Sequence, residues 1–283
     1  MDEIELPWLP AGHTVVVPGR GELFYRRHIH PDPQAPTVLL LHGLTGSTDL
    51  QFFSVYEPLA EVCSFIGLDH RGHGRGMRSG AITLEDMADD AAALLTHLGI
   101  GPVVTIGYSM GGPISLLLSR RHPHLVAASV VQATAMEWRS QWWERIGWRL
   151  GKLSGVLQRS WVFPHLVRRF IRRLLPSGHV VHRYADWIIS EIRRGDAAQV
   201  VQAGYSLSRF DGRHWVPSLG KPAAALITTR DRLVPPHKQR ALAEAMDAVV
   251  ETLDADHLGS TAVPDAYAKA TITLLQAVTS TRR

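Results

Sequence analysis

Gly107-Tyr108-Ser109-Met110-Gly111 fits the pattern G-x-S-x-G, and Gly112 follows it. A serine in that setting is a candidate nucleophile, attacking a carbonyl carbon once a base takes its proton. The pattern requires a sharp turn from strand to helix. Such a turn strains the serine backbone, exposes the hydroxyl, and sets it at a helix N-terminus that favours developing negative charge. The flanking Gly107 and Gly111 leave room for the turn. The plainer alternative is a glycine-rich β–α turn without chemistry.

The surrounding elements decide between these readings. Pro102–Ile106 is strand-like and runs directly into the motif, and Met110–Arg121 reads as a helix that stops before Pro123. Upstream, His13–Val17 and Glu22–Ile29 flank a Gly19-Arg20-Gly21 turn and predict a hairpin. Thr37–Leu41 is an uninterrupted apolar run, as expected for a strand buried on both faces, and Ser64–Leu68 is another short apolar strand. Gln51–Val62 is helical in character. Thr83 can cap a helix that carries Glu85 and Asp86 in its first turn and stops at Gly99. Leu125–Val131 is a strand. From Thr134 to Val216 the pattern is helical with no convincing strand. Alternation then resumes: strand Ala223–Thr229, helix His237–Asp247, strand Ala248–Leu253, helix Pro264–Val278. Strands alternating with helices predict an α/β fold, a mostly parallel sheet with helices on both faces. The helical block is an insertion between two strands.

Composition narrows the class. Of 283 residues 45% are hydrophobic, enough for a core and too many for a disordered chain. Cys63 is the only cysteine, so there is no disulfide framework; it reads as buried filler. No apolar run reaches the ~20 residues of a membrane span. The acidic Met1-Asp2-Glu3-Ile4-Glu5 start lacks signal-peptide order, so a cytoplasmic location is expected. Between Thr134 and Val216 there are 14 Lys and Arg against 6 Asp and Glu, whereas the rest of the chain has 16 against 20. Seven of the eight tryptophans lie in the same basic block.

Several separated motifs together resemble the α/β-hydrolase family over nearly the whole chain. His42-Gly43-Leu44 after a strand is similar to the family's oxyanion motif. Asp69-His70-Arg71-Gly72-His73-Gly74 is similar to its D-x-R-G-x-G turn, and Gly107–Gly111 to its nucleophile elbow. The insertion falls where members often carry a cap. The resemblance implies a core of residues 1–133 and 217–283 with a helical cap over 134–216.

It also implies a chain order of serine, acid, histidine. Asp231, two residues past a strand, matches the acid, and His257, on a loop before the last helix, matches the base. Asp211 and Glu137 precede the resumed sheet, Asp254 and Asp256 lie too near His257 along the chain, and His237 reads as a surface residue. By the same carry-over, the backbone N–H groups of Leu44 and Met110 would bind the oxyanion, with His42 and Gly43 bracing that loop. His70 and His73 lack a third metal ligand, and Asp69 and Arg71 read better as locking a turn. No metal or cofactor is expected.

Within the insertion, Glu137–Gly151 places Trp138, Trp142, Ile146 and Leu150 on one helical face. Pro164–Leu175 sets an apolar stripe (Leu166, Val167, Phe170, Ile171, Leu174, Leu175) against Arg168, Arg169, Arg172 and Arg173. One reading packs the stripe over the sheet. The other turns a lid toward an anionic membrane. Both favour a hydrophobic or lipidic ester as substrate of a serine hydrolase that forms an acyl-enzyme on Ser109. The same triad also suits amide, lactone or carbon–carbon bonds, acyl transfer, peracid formation, or a low-turnover receptor. Nothing resembles a nucleic-acid-reading motif.

Overall fold

The hairpin expected at the start is present: β1 (Ala11–Val17) pairs antiparallel with β2 (Gly21–His28), Val17 opposite Gly21. In the computed structural model, which describes residues 5–78, 82–139, 160, 162–175 and 179–280, six further strands follow. They are β3 (Thr37–Leu41), β4 (Ser64–Leu68), β5 (Val103–Tyr108), β6 (Val126–Gln132), β7 (Ala223–Thr228) and β8 (Val249–Leu253). One sheet runs in the order β1-β2-β4-β3-β5-β6-β7-β8. β2 joins β4 antiparallel, and every later pairing is parallel.

Both faces of the central strands are covered, which explains their unbroken apolar runs. Successive residues point to opposite sides. Leu39 and Leu41 join a core with α3 (Leu84–His97), α4 (Gly111–Arg121) and α8 (Pro236–Ala245). Val38 and Leu40 join a second core with α1 (Thr48–Phe52), α2 (Tyr56–Ala60) and α10 (Pro264–Ser280), the last preceded by the single turn α9 (Gly259–Ala262). Thr83 caps α3 as expected, its hydroxyl accepting from Asp86 N at 3.0 Å.

Two expectations about the core elements are corrected. The helix expected over Gln51–Val62 is two short helices, α1 and α2. Proline is tolerated only in a first helical turn, so a helix around Pro58 must begin at Tyr56 rather than continue from Gln51. Strand β5 runs two residues past Ile106, because Gly107 and Tyr108 pair with Val131 and Gln132 of β6.

Between β6 and β7 the described residues form α5 (Phe163–Leu174), α6 (Ala185–Arg194) and α7 (Ala197–Arg209), with an isolated bridge between Glu137 and Asp211. The Trp142, Ile146 and Leu150 face lies outside the described residues. On α5, Ile171, and just after it Leu175, pack against Phe53, Val181, Trp187 and Ile188. Arg169, Arg172 and Arg173 are exposed, and Arg168 pairs with Asp186 at 2.6 Å. Leu166, expected in the apolar stripe, is 44% exposed instead. Glu191 of α6 is buried and accepts from Ser47 Oγ (2.9 Å) and Arg75 (2.9 and 3.1 Å), tying the inserted helices to the core.

Candidate active site

Ser109 sits between the end of β5 and the start of α4 with φ +51°, a left-handed conformation that costs a non-glycine residue roughly 1–2 kcal/mol. The turn is held by Ser109 N donating to Gln132 O and Gly112 N donating to Ser109 O, both at 2.9 Å. A Cβ on Gly107 would overlap the Gly111 carbonyl, and one on Gly111 would overlap the Leu41 carbonyl, so this crossing of backbones admits only glycine.

Three residues brought from separate strand ends form a continuous hydrogen-bonded chain. The Ser109 hydroxyl donates to His257 Nε2 at 3.0 Å, and His257 Nδ1–H donates to Asp231 Oδ2 at 2.8 Å. Asp231 lies past β7 and His257 past β8, so parallel strands deliver both side chains to one edge of the sheet. The Tyr108 hydroxyl donates to His257 O at 2.9 Å and steadies the loop that carries His257.

Asp231 is 3% exposed. Its Oδ1 accepts from Leu233 N (2.8 Å) and Val234 N (2.9 Å), and its Oδ2 also accepts from Thr228 Oγ1 (2.9 Å) and Gln239 Nε2 (3.2 Å). Burial opposes its charge, but His257 and these donors outweigh burial and bring its pKa below the usual carboxylate value.

The rival carboxylates are engaged elsewhere. Asp211 pairs with Arg213 (2.6 Å), Glu137 with Lys238 (2.9 Å) and Asp254 with Arg230 (2.8 Å). Asp256 caps Leu258 N (2.9 Å), and His237 is exposed.

The loop after β3 faces the serine: a Cβ added to Gly43 would stand 3.4 Å from Ser109 Cβ. His42 is fully buried; its Nδ1–H donates to Gly43 O (2.7 Å) and its Nε2 accepts from His70 N (3.0 Å). The second bond fixes the tautomer, and burial keeps the ring neutral, well below the ordinary imidazole range. Carbonyl and N–H point oppositely across a trans peptide, so anchoring Gly43 O to His42 turns Leu44 N–H away from His42. Among the described residues, neither Leu44 N–H nor Met110 N–H donates to a protein acceptor.

The Asp69–Gly74 turn is locked as expected. Asp69 accepts from Thr48 N (2.7 Å) and Arg75 N (2.8 Å), and Arg71 pairs with Asp90 (2.7 Å). A cavity of about 460 Å³ lies at the neck of the insertion, lined by Glu137, Arg139, Arg209, Phe210, Asp211 and Arg213 among others; Ser109, Asp231 and His257 do not line it.

Sequence reasoning missed Thr228, Gln239 and Tyr108. Tyr108 occupies a variable position of the motif, and Gln239 is one polar residue in a helix, so neither carries a signal of its own.

A family model described as alpha/beta hydrolase fold matches residues 36–260. An sn-1-specific diacylglycerol lipase of Mus musculus is 34% identical over 102 residues, 35% of this chain and 33% of the relative, so this chain covers about a third of that protein. A pimeloyl-[acyl-carrier protein] methyl ester esterase of Sodalis glossinidius is 28% identical over 207 residues, 68% of this chain and 78% of the relative. Among solved structures, the enol-lactonase from Burkholderia xenovorans LB400 superposes with TM-score 0.78 at 23% identity, covering 93% of this chain and all of that one. An esterase from Exiguobacterium antarcticum gives TM-score 0.80 at 16% identity, covering 94% and 100%. At these identities the structural likeness is one of fold.

Proposed function

This chain belongs to the α/β-hydrolase fold family, and we propose that it is a serine hydrolase of carboxylic esters with hydrophobic or lipidic acyl groups. The observation that carries this reading is the chain Ser109–His257–Asp231, at 3.0 and 2.8 Å.

Ser109 Oγ attacks the ester carbonyl while His257 Nε2 takes its proton. Asp231 holds the tautomer and stabilises the resulting imidazolium. The N–H groups of Leu44 and Met110 receive the oxyanion, and Met110 stands where the α4 dipole adds to the effect. His257 then protonates the leaving alcohol and activates the water that releases the acyl group. His42, Gly43, Gly107 and Gly111 shape the backbone around these donors. Residues 134–216 act as a cap over a core of 1–133 and 217–283. The mouse lipase and the Sodalis esterase both carry names of acyl-ester hydrolases, which supports the ester reading.

Contact with an anionic membrane is a second, narrower reading. Ile171 and Leu175 pack inward, so the exposed Arg169, Arg172 and Arg173 would act by charge rather than by insertion. No described helix is long and apolar enough to cross a membrane. Binding to anionic vesicles that disappears with added salt is the expected result; salt-insensitive binding or none sinks this reading.

The main test is hydrolysis of p-nitrophenyl esters from C2 to C16 by the wild type and Ser109→Ala, with fluorophosphonate labelling of both. Turnover and label both vanish in Ser109→Ala. Labelled wild type without turnover at any length redirects the reading to a non-ester bond or a receptor, and unlabelled wild type removes the nucleophile.

A further inference from the structure

Two successive carbonyls of the loop after β3 are each held by a buried imidazole. His42 Nδ1–H takes Gly43 O at 2.7 Å. His73, on the Asp69–Gly74 turn, directs Nε2 at the very next carbonyl, Leu44 O. Its other ring nitrogen stands 3.0 Å from Arg71 O. His73 is 1% exposed, and burial lowers its pKa below the usual imidazole value, with Arg78 adding to the effect.

Peptide groups are planar, so anchoring the carbonyls of residues 43 and 44 fixes the planes on both sides of the Leu44 Cα. The Leu44 N–H belongs to the first of those planes. Resting on the reading that this N–H is an oxyanion donor, we propose that His73 is a positioning residue for it. Nε2–H donates to Leu44 O and keeps the loop from rotating the donor off the carbonyl at Ser109.

The two histidines differ in what fixes their protons. His42 accepts from His70 N, which leaves Nδ1 as its only N–H. His73 faces a carbonyl at each nitrogen, and a neutral ring carries one N–H. The competent tautomer therefore has the proton on Nε2. With the proton on Nδ1, a lone pair would face Leu44 O and the loop would lose its second anchor.

Two substitutions of similar size and polarity test this. His73→Gln sets an amide N–H where Nε2 stood, toward Leu44 O. His73→Asn sets one where Nδ1 stood, toward Arg71 O. His73→Gln keeps kcat within about threefold of wild type, whereas His73→Asn lowers kcat about 10- to 100-fold with little change in KM, the scale of a weakened oxyanion donor. The Ki of an alkylboronic acid, whose tetrahedral adduct on Ser109 uses the same donors, rises in His73→Asn by the factor that kcat/KM falls. Equal activity of the two variants, or a boronate Ki that does not follow kcat/KM, overturns the proposal. Fluorophosphonate labelling of wild-type Ser109 is the control. No label there removes the nucleophile reading itself, whereas label with equal variants removes only the role of His73.

Discussion

The Gln239 side-chain amide shares its N–H groups among Val234 O at 2.7 Å, Thr228 Oγ1 at 2.8 Å and Asp231 Oδ2 at 3.2 Å, while its carbonyl accepts from Thr228 N at 3.0 Å. One buried side chain thus binds the end of β7, the Asp231 carboxylate, and the loop that follows it. Gln239→Leu keeps the bulk and removes every one of these bonds. The carboxylate then loses a donor that favours its charged form, so its pKa rises. The expected result is a kcat/KM about tenfold lower with the acid limb of its pH profile moved upward, about 1.4 kcal/mol of lost transition-state stabilisation. An unchanged acid limb would show that Gln239 serves only packing.

Asp231→Asn tests the acid more directly. The amide can still accept from Leu233 N and Val234 N through one oxygen, so the loop is retained. The atom facing His257 Nδ1 then becomes an N–H donor, and the ring favours the wrong tautomer. A fall in kcat of about 10⁴ is expected, with a thermal midpoint near that of wild type. Loss of less than tenfold would assign the acid elsewhere.

Ser109→Gly and Ser109→Ala separate chemistry from strain. Both remove the hydroxyl, but only glycine relieves the φ of +51°. The glycine variant should be more stable than the alanine variant by about 1 kcal/mol in urea unfolding. Equal stabilities would mean the elbow stores no strain.

How much of this was legible in the sequence follows the range of each interaction. Gly107–Gly111 is readable because strand, turn and helix are contiguous there. Asp231 and His257 are readable because each follows a strand in a fixed order. Gln239 and His73 are not, because their partners arrive from other segments: Gln239 reaches back across the β7 turn, and His73 meets Leu44 from 29 residues away. The extension of β5 through Tyr108 depends likewise on β6 as a neighbour, whereas the break before Tyr56 was written locally in Pro58. The apolar stripe of α5 shows a periodicity that leaves open what it faces; packing against Phe53 and Trp187 turns Ile171 inward.

Glu191 should act as the pin of the inserted helices. Its side chain is wholly buried between Ser47, Arg75 and Arg194, and Arg75 is only 23% exposed. Without Glu191, Ser47 Oγ loses its acceptor and Arg75 keeps only Asp49 at 3.2 Å and Asp69 at 3.9 Å. Glu191→Ala should cost about 2 kcal/mol in urea unfolding, the scale of lost hydrogen bonds to a charged group, and speed proteolysis within residues 134–216. A cost below about 0.5 kcal/mol, the scale of an exposed pair, would show that the contact is solvated in practice.

Acid should destabilise the fold through the buried imidazoles of His42, His70 and His73, whose rings pack together at 4.2 to 6.5 Å between centroids. Burial lowers the pKa of His70 to about 3, that of His42 well below the usual value, and that of His73 below it as well. In the unfolded chain each takes a proton near pH 6.5. Below that pH the unfolded state binds more protons than the native state, so stability falls as pH drops, by up to about 1.4 kcal/mol per pH unit for each ring that stays neutral. Asp69 acts in the opposite sense: burial raises it to about 7, so the native state holds its proton between that value and the ordinary 3.8. Three imidazoles against one carboxyl leave a net loss between about pH 6.5 and 5. His70→Phe isolates the effect. The ring nitrogens of His70 have no hydrogen-bond partner among the described residues, and its backbone N–H to His42 survives the change. The variant should unfold at higher urea than wild type at about pH 5, with a flatter dependence on pH. An unaltered slope would place the acid sensitivity in other groups.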